Sequence, residues 1–93
     1  MSKPLISVII PAYNEEQSIG KVVDDIPRNI VDHVIVVNNN STDSTVEVAK
    51  KAGAIVLDET RKGYGWACLK GIEHSKTLNT EIVVFLDGDY SDY

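Results

Sequence analysis

The strongest constraint in the sequence is a set of four short runs rich in Val, Ile and Leu, at residues 5–10, 33–37, 54–57 and 81–86. Each run is continuous and does not alternate with polar residues. That is the pattern of strands covered on both faces, as in parallel sheets. The segments between them carry helical periodicity. The order is therefore β-α-β-α-β-α-β, which predicts right-handed crossovers and an α/β, Rossmann-like, three-layer parallel sheet with helices on both faces.

In the first intervening segment Ile19, Val22, Val23 and Ile26 recur at i, i+3, i+4, i+7 and form one apolar helix face. Asn14 followed by Gln17 suits a capping box at the start, and Pro27 suits the end. The second helix is expected to begin at Ser41 or Thr42, to turn Val46 and Ala49 inward and to stop at Gly53. The third is expected over residues 65–76, with Trp66, Leu69 and Ile72 inward.

Ninety-three residues suffice for one small domain, and 43% hydrophobic with 25% charged residues is ordinary globular composition. No run approaches the roughly 18 apolar residues of a transmembrane helix. The start, MSKPLISVII, reads as a strand and not as a signal peptide, because PAYNEE follows it in place of a small-residue cleavage site. The single cysteine, Cys68, excludes an internal disulfide framework and suits a reducing, cytoplasmic compartment. It is expected to be a buried thiol. With no His/Cys cluster, zinc is not expected. The net charge of −5 argues against nucleic acid as the partner.

Parallel strands put the loops that follow them on one sheet edge, where open α/β sheets bind ligands. Four chemically distinctive loops then converge, at residues 11–15, 38–43, 58–64 and 87–92. In the first, Pro11 stiffens the strand exit, Tyr13 offers a flat ring to a nucleobase, and Glu15 can accept from a base or ribose. The same residues also make an ordinary strand exit and helix start. In the second, Asn38 or Asn39 can close a local turn or read an imide edge, whereas Ser41, Thr42 and Asp43 suit helix caps better than ligands. In the third, Arg61 and Lys62 stand beside Gly63 and Gly65, which permit close backbone approach to a phosphate at a helix start. A solvated basic turn is the plain alternative. In the fourth, Asp87 and Asp89 flank Gly88 at a strand end. Two hard carboxylates there suit Mg²⁺ or Mn²⁺, and a simple Asp/Gly turn is the alternative.

SVIIPAYNEE near the start, VIVVNNNSTDST next, then RKGYGWACLKGI and finally VVFLDGDYSD together resemble the family 2 glycosyltransferases. The likeness is to bacterial relatives of polyprenyl (dolichyl) phosphate mannose and glucose synthases, and it covers nearly the whole chain. It implies the N-terminal, nucleotide-sugar-binding half of a GT-A fold over residues 1–93. It also implies inverting transfer from a UDP- or GDP-sugar, with Mg²⁺ or Mn²⁺ at a DxD motif. Carried over, Pro11, Ala12, Tyr13 and Glu15 match the base- and ribose-binding loop. Asn38 and Asn39 stand where many members have two aspartates, one of which contacts the base. Lys62 and Gly63 match the diphosphate side, while Asp87, Gly88 and Asp89 match DxD with Asp87 and Asp89 on the metal. Ser91 replaces the Gln that some synthases use as a further ligand.

The family's catalytic base and acceptor half lie beyond the metal motif. The resemblance therefore places the base beyond Tyr93, and the chain is expected to be part of a longer enzyme and inactive alone. The acceptor, a polyprenyl phosphate or a saccharide, is not specified. A polyprenyl phosphate would bring the full enzyme to the cytoplasmic face of a membrane. A sheet ending just past its fourth strand leaves a face and an edge uncovered, and a partner chain, a second copy included, is one way of covering them. Two rival readings are a sugar-1-phosphate nucleotidyltransferase and a receiver-like Mg²⁺-binding module. The first wants a Gly/Arg-rich loop after strand one, and the second wants paired acids at that strand's end, which PAYNEE supplies only later.

Overall fold

A computed structural model of the chain describes residues 3–88. The elements run β1 (Ile6–Ala12), α1 (Ile19–Asp24), β2 (His33–Asn38), α2 (Thr45–Lys51), β3 (Ile55–Asp58), α3 (Tyr64–Thr77) and β4 (Ile82–Phe85). The four strands form one sheet in the order β3-β2-β1-β4, and every pairing is parallel. The chain winds from β1 out to β3, then crosses back over the sheet through α3 to reach β4. The expected layered α/β architecture is therefore present.

Period-2 alternation divides β1 and β2 between two cores. Val8, Ile10 and Ala12 of β1 and Val34 and Val36 of β2 pack with Ile19, Val22, Val23, Ile26 and Ala49 on the α1/α2 face. Ile9, Ile35 and Val37 meet Ala67 of α3 on the other. All four residues of the expected α1 face are buried.

β1 runs two residues further than the sequence suggests, with Pro11 opposite Val37 and Ala12 opposite Asn38. Proline cannot donate to a sheet ladder, yet this strand is central. The register accounts for it. The Ile9 carbonyl points toward β4, where it accepts from Leu86 N–H. Pro11, two residues on, presents its nitrogen to the same side, beyond the last β4 pair at Ile9 and Phe85.

Four local expectations need correction. Asn14 does not cap α1: it adopts φ 51°, and the helix begins after Ser18. Its side chain turns outward, with Oδ1 accepting the Thr42 N–H at 2.8 Å. α2 begins at Thr45, later than Ser41 or Thr42, because Asp43 Oδ1 accepts both the Thr45 N–H, at 3.0 Å, and the Thr45 hydroxyl. α3 keeps only part of its expected face: Ile72 packs against the core of Ile9, Ile35 and Val37 as expected. Trp66 and Leu69 are exposed, whereas Ala67, Gly71 and Ser75 are buried. A stripe of small residues at spacing four lets the helix lie close to β1, and larger side chains would hold it off. Cys68 is only half-buried.

The end of α2 follows expectation. Gly53, at φ 95°, donates to the Lys50 carbonyl, and Ala54 donates to that of Ala49. These are the paired bonds of a Schellman motif, whose left-handed position glycine occupies without steric cost. β4 is the exposed edge: Ile82, Val84, Phe85 and Leu86 are each 39–42% accessible. No helix among the described residues is long and apolar enough to cross a membrane.

Candidate functional site

Three of the four distinctive loops form a lattice of side-chain to backbone hydrogen bonds at the carboxyl end of the sheet. The loops after β1 and β2 hold each other reciprocally. Asn14 N–H donates to Ser41 Oγ at 2.9 Å, Glu15 N–H to Thr45 Oγ1 at 2.8 Å, and Ser44 N–H to Glu16 Oε2 at 3.3 Å. The Asp43 carboxylate is opposed by its partial burial. The Thr45 hydroxyl and the N–H groups of Thr45 and Glu16 outweigh this and hold its pKa below the usual aspartate range.

The loops after β2 and β3 are joined by three consecutive asparagines. Asn38 Nδ2 donates to Asp58 Oδ1 at 3.0 Å, and Asn38 Oδ1 accepts the Ser41 N–H at 3.1 Å. Asn39 Nδ2 donates to the carbonyls of Glu59 and Arg61, each at 2.8 Å, and Asn39 Oδ1 accepts the Gly63 N–H at 3.0 Å. Asn40, at φ 67°, donates to the Thr60 carbonyl at 3.1 Å. Asparagine suits these positions because it tolerates left-handed backbone and carries donor and acceptor on one short arm.

Of the two adjacent cations, Arg61 is committed to structure. Its Nε and Nη2 reach the two oxygens of Glu59 at 3.0 and 2.8 Å, and its backbone N–H adds a third bond at 2.9 Å. Its guanidinium lies 3.9 Å from the centre of the Trp66 ring. These bonds, the side-chain ones foremost, hold the Glu59 pKa down at about 2. Lys62 is exposed and makes no ion pair among the described residues.

The fourth loop joins through Ser18, whose hydroxyl donates to the Gly88 carbonyl at 2.6 Å. Gly88 is buried against Ile10, Ile19 and Glu15. Asp89, expected on the metal, lies outside the described residues, as does the rest of the chain from there to Tyr93.

Between these loops is a cavity of about 250 Å³ lined by Pro11, Ala12, Tyr13, Glu15, Asn39, Tyr64, Ala67, Asp87 and Gly88. It brings together seven of the residues singled out in the sequence. Beside it a second cavity, of about 450 Å³, shares Tyr13 and Asn39 and adds Asn40, Thr42 and Lys62. Asn38 lines neither cavity, and neither does Gly63.

Tyr64 and Ala67 enter the site without having been singled out. Tyr64 was lost among the glycines of the KGYG segment, and only the start of α3 immediately after Gly63 marks it. Partial desolvation at the cavity wall, then Cys68 and the Asp87 charge, push up the pKa of Tyr64, a residue otherwise exposed. The charged side chains lining the first cavity are the carboxylates Glu15 and Asp87. Among the described residues no three His, Cys, Asp or Glu side chains cluster as a metal site.

The chain is similar in sequence and in fold to known proteins. The Glycosyl transferase family 2 model matches residues 7–92. Protein RfbJ of Shigella flexneri is 41% identical over 85 residues, which cover 90% of this chain and 64% of that protein. The UDP-N-acetylglucosamine–dolichyl-phosphate N-acetylglucosaminyltransferase of Methanococcus voltae is 30% identical, over 96% of this chain and 43% of its own length. Among solved structures, glucosyl-3-phosphoglycerate synthase from Mycobacterium tuberculosis, in complex with Mn²⁺, UDP and glucosyl-3-phosphoglycerate, superposes with a TM-score of 0.83. It is 35% identical, and the match covers 92% of this chain and 34% of the synthase. The chain thus spans between a third and two thirds of the length of these proteins. By its motifs, its sheet and these matches, the chain belongs to the family 2 glycosyltransferases.

Proposed function

We propose that the chain is the donor-binding part of a metal-dependent, inverting glycosyltransferase that uses a UDP- or GDP-sugar. The observation that carries this reading is the first cavity, where the loops after β1, β2 and β4 place Tyr13, Glu15, Asn39 and Asp87 around one space. The synthase crystallised with Mn²⁺ and UDP lends support and favours a uridine nucleotide. A polyprenyl phosphate or a saccharide is the acceptor.

The exposed Tyr13 ring takes the face of the base. Glu15, at the loop's inner end, accepts from base or ribose. Lys62, the cation left over once Arg61 is paired with Glu59, lies on the diphosphate side of the adjoining cavity. A cavity whose charged lining is carboxylate cannot take a diphosphate without a cation, and its oxygen donors are those Mg²⁺ and Mn²⁺ prefer. Asp87, with Asp89, would hold that ion, which would stabilise the charge growing on the departing nucleoside diphosphate.

Calorimetric titration of the chain with UDP and with GDP, each with Mn²⁺, tests the proposal. Binding is expected to be weak, tighter for UDP, and lost in Asp87→Ala and Asp89→Ala. Equal binding by the wild type and both variants contradicts a metal-bridged donor site.

A further inference from the structure

The amide of Asn39 makes three hydrogen bonds within the protein. Both its donors go to the carbonyls of Glu59 and Arg61, and its oxygen receives the Gly63 N–H, 24 residues along the chain. The three bonded groups bracket Lys62, whose own side chain reaches the second cavity. Glu59 fixes the same segment from its other side through Arg61, and it is 5% exposed. Gly63 is held at φ 127° directly before α3, a conformation that L side chains rarely adopt. One side chain on the β2 loop therefore sets the backbone that carries the candidate phosphate-side cation.

We propose that Asn39 is a positioning residue for the diphosphate side of the donor site, acting through Lys62 and Gly63. The inference rests on the donor-site reading given above. Its chemistry separates amide from carboxylate. Asn39→Asp keeps an acceptor for Gly63 N–H but turns an oxygen toward the Glu59 and Arg61 carbonyls, replacing two bonds by lone-pair repulsion.

The test compares UDP with uridine, both with Mn²⁺, on the wild type, Asn39→Asp, Lys62→Ala and the double variant. In Asn39→Asp the UDP affinity is expected to fall about tenfold, the size of one or two lost hydrogen bonds, with uridine affinity unchanged. Lys62→Ala is expected to lose the same increment and the double variant no more, because both act through one cation. Equal losses for uridine and UDP overturn the inference, since they mark base reading or general unfolding. Additive losses also overturn it, since the new charge then merely repels phosphate. Amide exchange gives a ligand-free check: in Asn39→Ala the Gly63 amide is expected to exchange faster while β2 amides stay protected. Unchanged Gly63 exchange overturns the inference. A wild type that binds neither ligand refutes the donor-site reading, and the inference with it.

Discussion

A β-carbon on Gly71 would lie 2.5 Å from Cγ2 of Ile9. The residue at this position is therefore fixed by the approach of α3 to the central strand. Ile9 is fully buried and paired with strands on both sides, so it has nowhere to move. Gly71→Ala is expected to destabilise the fold by about 1–3 kcal/mol through overpacking. Gly65, in the first turn of the same helix, has nothing within 4 Å of its virtual β-carbon. Gly65→Ala is expected to stabilise by about 0.5–1 kcal/mol through helix propensity. Thermal unfolding of the pair checks this: opposite shifts in Tm are expected, and shifts of the same sign contradict the account of α3 packing.

The sequence made the layered fold legible because β1 and β2 are buried on both faces and their uninterrupted Val/Ile runs announce it. It misread α3 because Trp66 and Leu69 look like core residues by hydrophobicity alone. Gly71 fits beside Ile9 because it has no side chain, and a stripe of small residues such as Ala67, Gly71 and Ser75 does not stand out by hydrophobicity. The convergence of the loops was legible from parallel topology. The bonding within them was not, since Asn39 can serve a base edge or a backbone equally well until its neighbours are placed. Arg61 and Lys62 are alike in the sequence for the same reason, and only the placement of Glu59 and Trp66 separates them.

Glu59 gives the protein a specific acid sensitivity. Its pKa is lowered from 4.5 to about 2 by the Arg61 side chain and backbone. A depressed carboxylate pKa contributes stability that is complete above the unfolded value and is lost as pH falls through the folded one. The difference in unfolding free energy between wild type and Glu59→Gln should hold constant above pH 4.5 and shrink from there toward pH 2. Urea unfolding across that window checks it. A difference that does not change with pH means that the ion pair is not what holds the loop.

Asn38 and Asp58 show why an acidic residue is disfavoured at position 38 of this chain. The amide donates to the Asp58 carboxylate at 3.0 Å. Asn38→Asp replaces that bond with two facing carboxylates, a like-charge pair that raises the pKa of one member. A loss of about 1 kcal/mol at neutral pH is expected, given the exposure of Asp58. The loss should diminish in acid, where one carboxylate of the pair takes up a proton and can donate it to the other. Denaturant unfolding at neutral and acid pH reads it directly, and a penalty that persists in acid argues for altered backbone.

If the donor site is as proposed, a divalent ion and a nucleoside diphosphate meet at the carboxyl end of the sheet, beside Asp87 and the Tyr13 loop. Paramagnetic broadening by Mn²⁺ of assigned amide signals, with and without UDP, measures this most directly. With UDP present, the signals of Tyr13, Tyr64, Asp87 and Gly88 should broaden first. Those of Gly53 and Ala54, which precede β3 at the opposite sheet edge, should stay sharp. Broadening centred instead on Glu16 and Asp43, or the same with and without UDP, would contradict the account.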